Sequence, residues 1–146
     1  MPNIINNILF EYPMPCRVLI IPDGVTGIAP GAFRENSMLE SVCFPNGLTW
    51  IGDEAFKGCA NLSKVVFSED LVSIGDEAFR ECPMLSEVYI PSSVKEIGYG
   101  AFSLCSGLMN VSISENLNIS GKGVFALSGG RNRVHLTKRT NIFNLI

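Results

Sequence analysis

The chain has 146 residues, 47% of them hydrophobic and 17% charged, with a net charge of −3. That length supports one domain, the apolar share excludes a disordered chain, and the small net charge excludes a polyanion-binding surface over the whole molecule. No apolar run approaches the roughly 18 residues that a membrane-spanning helix needs.

Charge is unevenly distributed. Residues 1–115 hold all 14 acids and six bases, a balance of −8, whereas residues 116–146 hold Lys122, Arg131, Arg133, Lys138 and Arg139 and no acid, a balance of +5. Such asymmetry marks either a solvated end of the molecule or a docking face for an acidic partner. The N-terminus, Met-Pro-Asn-Ile-Ile-Asn-Asn-Ile-Leu-Phe, has neither a basic leader nor a small-residue cleavage site, and as a natural start it points to the cytoplasm.

In chain order, phenylalanine recurs every 23 residues at Phe10, Phe33, Phe56, Phe79, Phe102 and Phe125. Leucine follows six residues later at Leu39, Leu62, Leu85 and Leu108. Next comes the series Val42, Val65, Val88, Val111 and Val134, and two residues further Phe44, Phe67, Ile90, Ile113 and Leu136. Leu19 and Ile21 hold these two places in the first coil. The pairs Val25 and Ile28, Leu48 and Ile51, Leu71 and Ile74, and Val94 and Ile97 complete the unit. A fixed period of this length is the signature of stacked coils, none of which can bury its apolar side alone.

Within the unit, Val-x-Ile has period 2 and β-branched residues, so it predicts a short strand, ended by Pro22, Pro45 and Pro91. The segment Ile-Gly-x-x-Ala-Phe-x-x-Cys has apolar spacings of three and four, which predict a helical or 3-10 turn. Gly52, Gly75, Gly98 and Gly121 read as turn positions of open φ. Asp53-Glu54 and Asp76-Glu77 read as acids at a helical start. The expectation is an α/β-type repeat solenoid of about six coils, with a parallel sheet on one face and short helical turns on the other. Residues 1–27 form an irregular first coil, 28–119 the regular coils, and 120–146 a degenerate last coil or cap. In that last coil Ser120, Ser128 and Arg131 replace the Ile, Cys and Leu of the repeat. The apolar end Ile142-Phe-Asn-Leu-Ile146 is expected to fold over the stack, or to meet a partner or another copy of the chain end to end.

The motif Ile-Pro-x-x-Val-x-x-Ile-Gly-x-x-Ala-Phe-x-x-Cys-x-x-Leu resembles the BspA-like class of leucine-rich repeat over nearly the whole chain. That resemblance implies a right-handed leucine-rich-repeat arc that binds proteins without catalysis. It also implies the alternative of a surface adhesin that binds host matrix or glycan, which would place the chain at the cell surface or outside.

The residues offer little for chemistry. His135, the single histidine, alternates with buried positions in Val134-His135-Leu136 and should face outward, with no acid near it in sequence. Cys59, Cys82 and Cys105 stack in one phase, as packing residues do, and lack the close pairs of a zinc site. Cys43 falls on the outer face. No phosphate-binding glycine loop occurs, and no metal or cofactor is expected. The triplets starting at Asn61, Asn110 and Asn118 match the glycosylation pattern, relevant only in a eukaryotic secretory path.

Binding is expected on the exposed side of the strands, where residues vary from coil to coil: Val18 and Ile20, Ser41 and Cys43, Lys64 and Val66, Glu87 and Tyr89, Asn110 and Ser112, Arg133 and His135. The partner-binding set is Lys64, Val66, Glu87, Tyr89, Asn110, Ser112, Arg133 and His135, with Tyr89 the expected hot spot. Trp50, the lone tryptophan, joins it from a turn position, where it either packs on the neighbouring turn or meets a partner. A further alternative is an anionic partner or nucleic acid on Arg131, Arg133, Lys138 and Arg139.

Overall fold

The computed structural model describes residues 1–12, 15–114, 117, 119, 121–129 and 134–139, with the backbone alone at 138 and 139. The chain winds as a parallel β-solenoid of about five turns. The Val-x-Ile segments form β3 (Val18–Ile20), β5 (Ser41–Cys43), β7 (Lys64–Val66), β9 (Glu87–Tyr89) and β11 (Asn110–Ser114), followed by β12 (His135–Arg139). A second sheet collects the two-residue strands β4 (Gly27–Ile28), β6 (Trp50–Ile51), β8 (Ser73–Ile74) and β10 (Glu96–Ile97). Between the faces lies the core. Leu39, Leu62, Leu85 and Leu108 are fully buried, as are Phe56, Phe79 and Phe102.

The Phe spine is a stack of five rings. Phe33, Phe56, Phe79 and Phe102 lie 5.0–5.2 Å apart with planes within 7°, and Phe125 follows at 5.8 Å. That spacing is set by the coil repeat, which matches the roughly 4.8 Å between hydrogen-bonded strands. Phe44 and Phe67 stack beside it and meet Phe56 and Phe79 edge-on at 5.7 and 5.6 Å.

The expected helical or 3-10 turns are absent from the described residues, and the segments around the spine are chains of β-turns. The backbone shows why. The N–H groups of Glu54, Phe56 and Gly58 donate across the stack to the carbonyls of Asp76, Ala78 and Arg80 (2.8 Å each). Those of Ala55, Lys57 and Cys59 turn back to Gly52, Glu54 and Phe56 (3.1–3.3 Å). A helix needs every amide aligned with one axis; here alternate amides are committed to the next coil. The residues two before and two after each spine Phe take left-handed φ, including Glu54 (55°), Glu77 (53°), Glu81 (59°) and Leu104 (57°). Such conformations cost an L residue about 1–2 kcal/mol each, and the inter-coil bonds hold them in place.

Two local readings change with this geometry. Gly52, Gly75, Gly98 and Gly121 do not have the positive φ expected of them. They are glycines because stacked backbones touch: a Cβ on Gly52 would lie 2.6 Å from the Pro30 nitrogen and 2.8 Å from the Ile28 carbonyl oxygen. Asp53 and Asp76 cap no helix. Asp53 Oδ1 accepts the Asp76 N–H (2.8 Å), and Asp76 Oδ1 accepts the Tyr99 N–H (2.7 Å), so the side chains form a ladder of their own.

The ends depart from the 23-residue register. β1 (Asn3–Ile5) and β2 (Ile8–Glu11) form an antiparallel hairpin, turned by Asn6 and Asn7 at φ 51° and 64°, the pair of positive φ values that a tight hairpin favours. β2 then pairs parallel with β4, Leu9 opposite Ile28. Leu9 is fully buried, whereas Phe10 is 44% exposed. Phe10 is therefore not a sixth ring, and the coil count falls from about six to about five. At the other end Val111 lies opposite Leu136, not Val134, and Asn110 opposite His135. Two extra residues enter before β12. A shift of two preserves the inward–outward alternation of a strand, so His135 still faces out. Leu136, expected in the core, is 44% exposed, since no described coil covers it.

Candidate functional site

On the strand face the outward side chains form two rows. Parallel register aligns Val18, Ser41 and Lys64 in one row and Ile20, Cys43 and Val66 in the other. Further along, Glu87, Asn110 and His135 align, as do Tyr89, Ser112 and Thr137. Val18, Ile20, Cys43, Lys64, Val66, Glu87, Tyr89, Asn110 and His135 are exposed, as expected, while Ser112 is half-buried. Arg133 lies outside the described residues, as does Arg131. Lys138 and Arg139 belong to β12, and their side chains are likewise not described.

The face is interrupted. Ladder pairing joins β3, β5 and β7 in one sheet and β9, β11 and β12 in another. Elsewhere each coil boundary is closed by bonds at both strand ends. Ile21, Phe44 and Ile90 donate to Cys43, Val66 and Ser112 at 3.2, 3.1 and 2.8 Å. Lys64 and Asn110 donate to Glu40 and Ser86 at 3.2 and 3.3 Å. The matching bonds from Phe67 to Tyr89 and from Glu87 to Ser63 are not made. On the second sheet and the turn side the same boundary is intact: β8 pairs with β10, and Glu77, Phe79 and Glu81 donate to Tyr99, Ala101 and Ser103.

A groove of about 560 Å³ lies over this break. Val65, Phe67 and Val88 form its floor; Lys64, Val66, Glu69, Glu87, Tyr89, Asn110 and Ser112 form its walls. Val65, at 9% exposure, is the most open of the buried strand positions. The structure thus brings together six of the residues expected to bind: Lys64, Val66, Glu87, Tyr89, Asn110 and Ser112. His135 stands one strand beyond, beside Asn110. Glu69 was not expected from the sequence. It sits in the turn after β7 and lines the groove from there.

Trp50 is elsewhere. It lies in β6, not in a turn, opposite Gly27. Its indole covers that glycine: a Cβ there would meet three indole atoms within 2.4 Å. Trp50 is half-buried and borders a separate groove of about 660 Å³, floored by Gly52, Gly75 and Gly98 and bounded by Tyr99.

The thiols divide as expected. Cys43 is exposed; Cys59, Cys82 and Cys105 are buried and donate to the carbonyls of Phe33, Phe56 and Phe79 at 3.0–3.2 Å. Burial pushes the Cys59 thiol up to about 12. The neighbouring Cys105 thiol, together with burial, pushes Cys82 up as well. Ser128 continues the ladder, its hydroxyl donating to Phe102 at 2.6 Å. On the turn side, charges pair with one another: Arg34 with Glu54, Lys57 with Glu54 (3.3 Å) and Glu77 (2.6 Å), and Arg80 with Glu77 (3.3 Å) and Glu81 (3.1 Å). The Lys57 hydrogen bond holds the Glu77 carboxyl below the usual carboxylate range and lifts Lys57 above the usual ammonium range. Among the described residues no helix is long and apolar enough to cross a membrane.

Solved structures of similar fold come from several bacteria. The T. pallidum leucine-rich repeat protein matches with a TM-score of 0.83 at 24% identity, over 97% of this chain and 80% of its own. A leucine-rich cell surface protein from Faecalibacterium prausnitzii also reaches 0.83 at 24% identity, over 94% of this chain and only 36% of its own. A leucine-rich repeat protein from Bacteroides capillosus matches at 0.64 and 31% identity, over 71% of this chain and 83% of its own. No curated protein matches the chain. The BspA-type leucine-rich repeat region matches six copies across residues 3–141. With the repeat, the parallel solenoid and this match in agreement, the chain belongs to the BspA-type leucine-rich repeat family.

Proposed function

We propose that the chain is a non-enzymatic protein-interaction module whose partner docks on the strand face at the β7–β9 break. The observation that carries this reading is the groove itself. It lies where the face opens towards the core, and an apolar floor and an aromatic side chain sit within a rim of polar and charged ones, the arrangement of protein interfaces. Tyr89, 40% exposed, is the anchor: its ring offers a large contact area at little conformational cost. Lys64, Val66, Glu87, Asn110, Ser112 and His135 complete the surface; Arg133, which the repeat also offers, lies outside the described residues. Trp50 belongs to a second face and is at most an accessory contact. Repeat solenoids present such broad surfaces from a rigid scaffold. An adhesin that meets matrix or glycan would use the same face, a reading favoured by the similarity to a cell surface protein of F. prausnitzii.

The test is a binding comparison with a partner isolated from the source cells. Tyr89→Ala combined with Val66→Ser should weaken binding at least tenfold, as the loss of a hot spot does, with the melting curve unchanged. Glu35→Gln, on the turn side, should leave binding intact. Equal loss in both variants, or none in the first, removes the strand face from consideration.

A further inference from the structure

We infer that the partner presents a single basic side chain, arginine or lysine, to the groove at the β7–β9 break, with an apolar neighbour against Val66 and Phe67. This inference rests on the strand-face reading and gives it a chemical partner. Charge is handled differently on the two sides of the stack. On the turn side Arg34, Glu54, Lys57, Glu77, Arg80 and Glu81 are joined into one chain of ion pairs. In the groove, Lys64, Glu69 and Glu87 are exposed and make no ion pair among the described residues. Lys64 and Glu87 occupy equivalent places in adjacent coils, yet the break leaves them unjoined.

The walls therefore carry two unpaired carboxylates and one ammonium. Two carboxylates beside an aromatic ring suit a cation, which gains both charge-assisted hydrogen bonds and attraction to the Tyr89 ring. Lys64, across the break from Glu87, repels a second cation, so the seat holds one basic group. The floor of Val65, Phe67 and Val88 takes apolar contact, and the chain's net charge of −3 favours a basic partner at long range.

The experiment is selection from a phage-displayed random dodecapeptide library on the intact chain. Peptides recovered by the native chain, and lost with Tyr89→Ala, should be enriched in arginine or lysine next to an aliphatic residue. Replacing the basic residue of a recovered peptide by norleucine should weaken it roughly three- to tenfold. Glu69→Gln or Glu87→Gln should remove that difference, whereas Glu96→Gln, on the second sheet, should not. Tyr89-dependent peptides without basic enrichment, or with a basic residue indifferent to both Gln variants, overturn the inference and leave the strand-face reading standing. Recovery of no Tyr89-dependent peptide overturns both.

Discussion

Individual side chains do two kinds of work in this stack. Those that repeat face a neighbour of their own kind one coil away; those that vary face solvent. Lys57 shows how far the first kind extends to charge. Its ammonium bridges Glu54 of its own coil and Glu77 of the next, with both Lys57 and Glu77 about four-fifths shielded. Because the Glu77 carboxyl titrates lower in the folded chain than in the unfolded one, its contribution to stability is full above the ordinary carboxylate range. It is lost as pH falls through the depressed folded value. Urea midpoints measured from neutral to acid pH should fall for the native chain, and Glu77→Gln should flatten that fall. Equal acid slopes in the two proteins would remove Glu77 as its source.

At the scale of elements, strands and turns are held by different sets of amides, and the break at β7–β9 affects only one set. The amides of Phe67 and Glu87 should exchange with solvent much faster than those of Phe44, Ile90 and Asn110, their counterparts at closed boundaries. Native-state hydrogen exchange read by NMR measures this, and equal protection at all five amides would contradict the interruption. The same scale explains what was legible beforehand. The period of 23, the strand phase, the buried Leu, Val and Phe ladders and the outward position of Cys43 and Tyr89 follow from side-chain spacing alone, which a solenoid copies directly into space. The turns read as helical in the sequence because apolar spacings of three and four suit either a helix or a run of β-turns; the choice is made by amides of the next coil. Likewise Gly52 looks the same whether it needs positive φ or close approach. The hairpin at β1–β2 and the two-residue shift before β12 break the period where repeats are weakest. Phe10 keeps the arithmetic of the repeat without its contacts, and Val134, though packed on the core, is not the ladder partner of Val111. Glu69 joins the groove from the turn after β7, outside the outward strand positions from which the binding set is read, and the break in the ladder leaves no mark on residue type.

Over the whole molecule, stability is close to a sum of coils and the interfaces between them, so a truncation should cost according to its place in the stack. Phe79, fully buried between Phe56 and Phe102, should cost about 3–5 kcal/mol on replacement by alanine. Phe125→Ala should cost clearly less, since Phe125 is half-buried and only one stacked ring partner is described for it. Denaturant melts of the two variants measure the difference, and equal losses would mean that the spine does not act as a one-dimensional stack. The interrupted boundary also gives the molecule a direction of mechanical weakness. Under tension along the stack axis, each coil junction carries load through the strand face, the second sheet and the turns in parallel; the junction between β7 and β9 has lost the first of these. It is the seam at which a pulled chain should part, leaving two blocks of coils that are each still zipped on all sides.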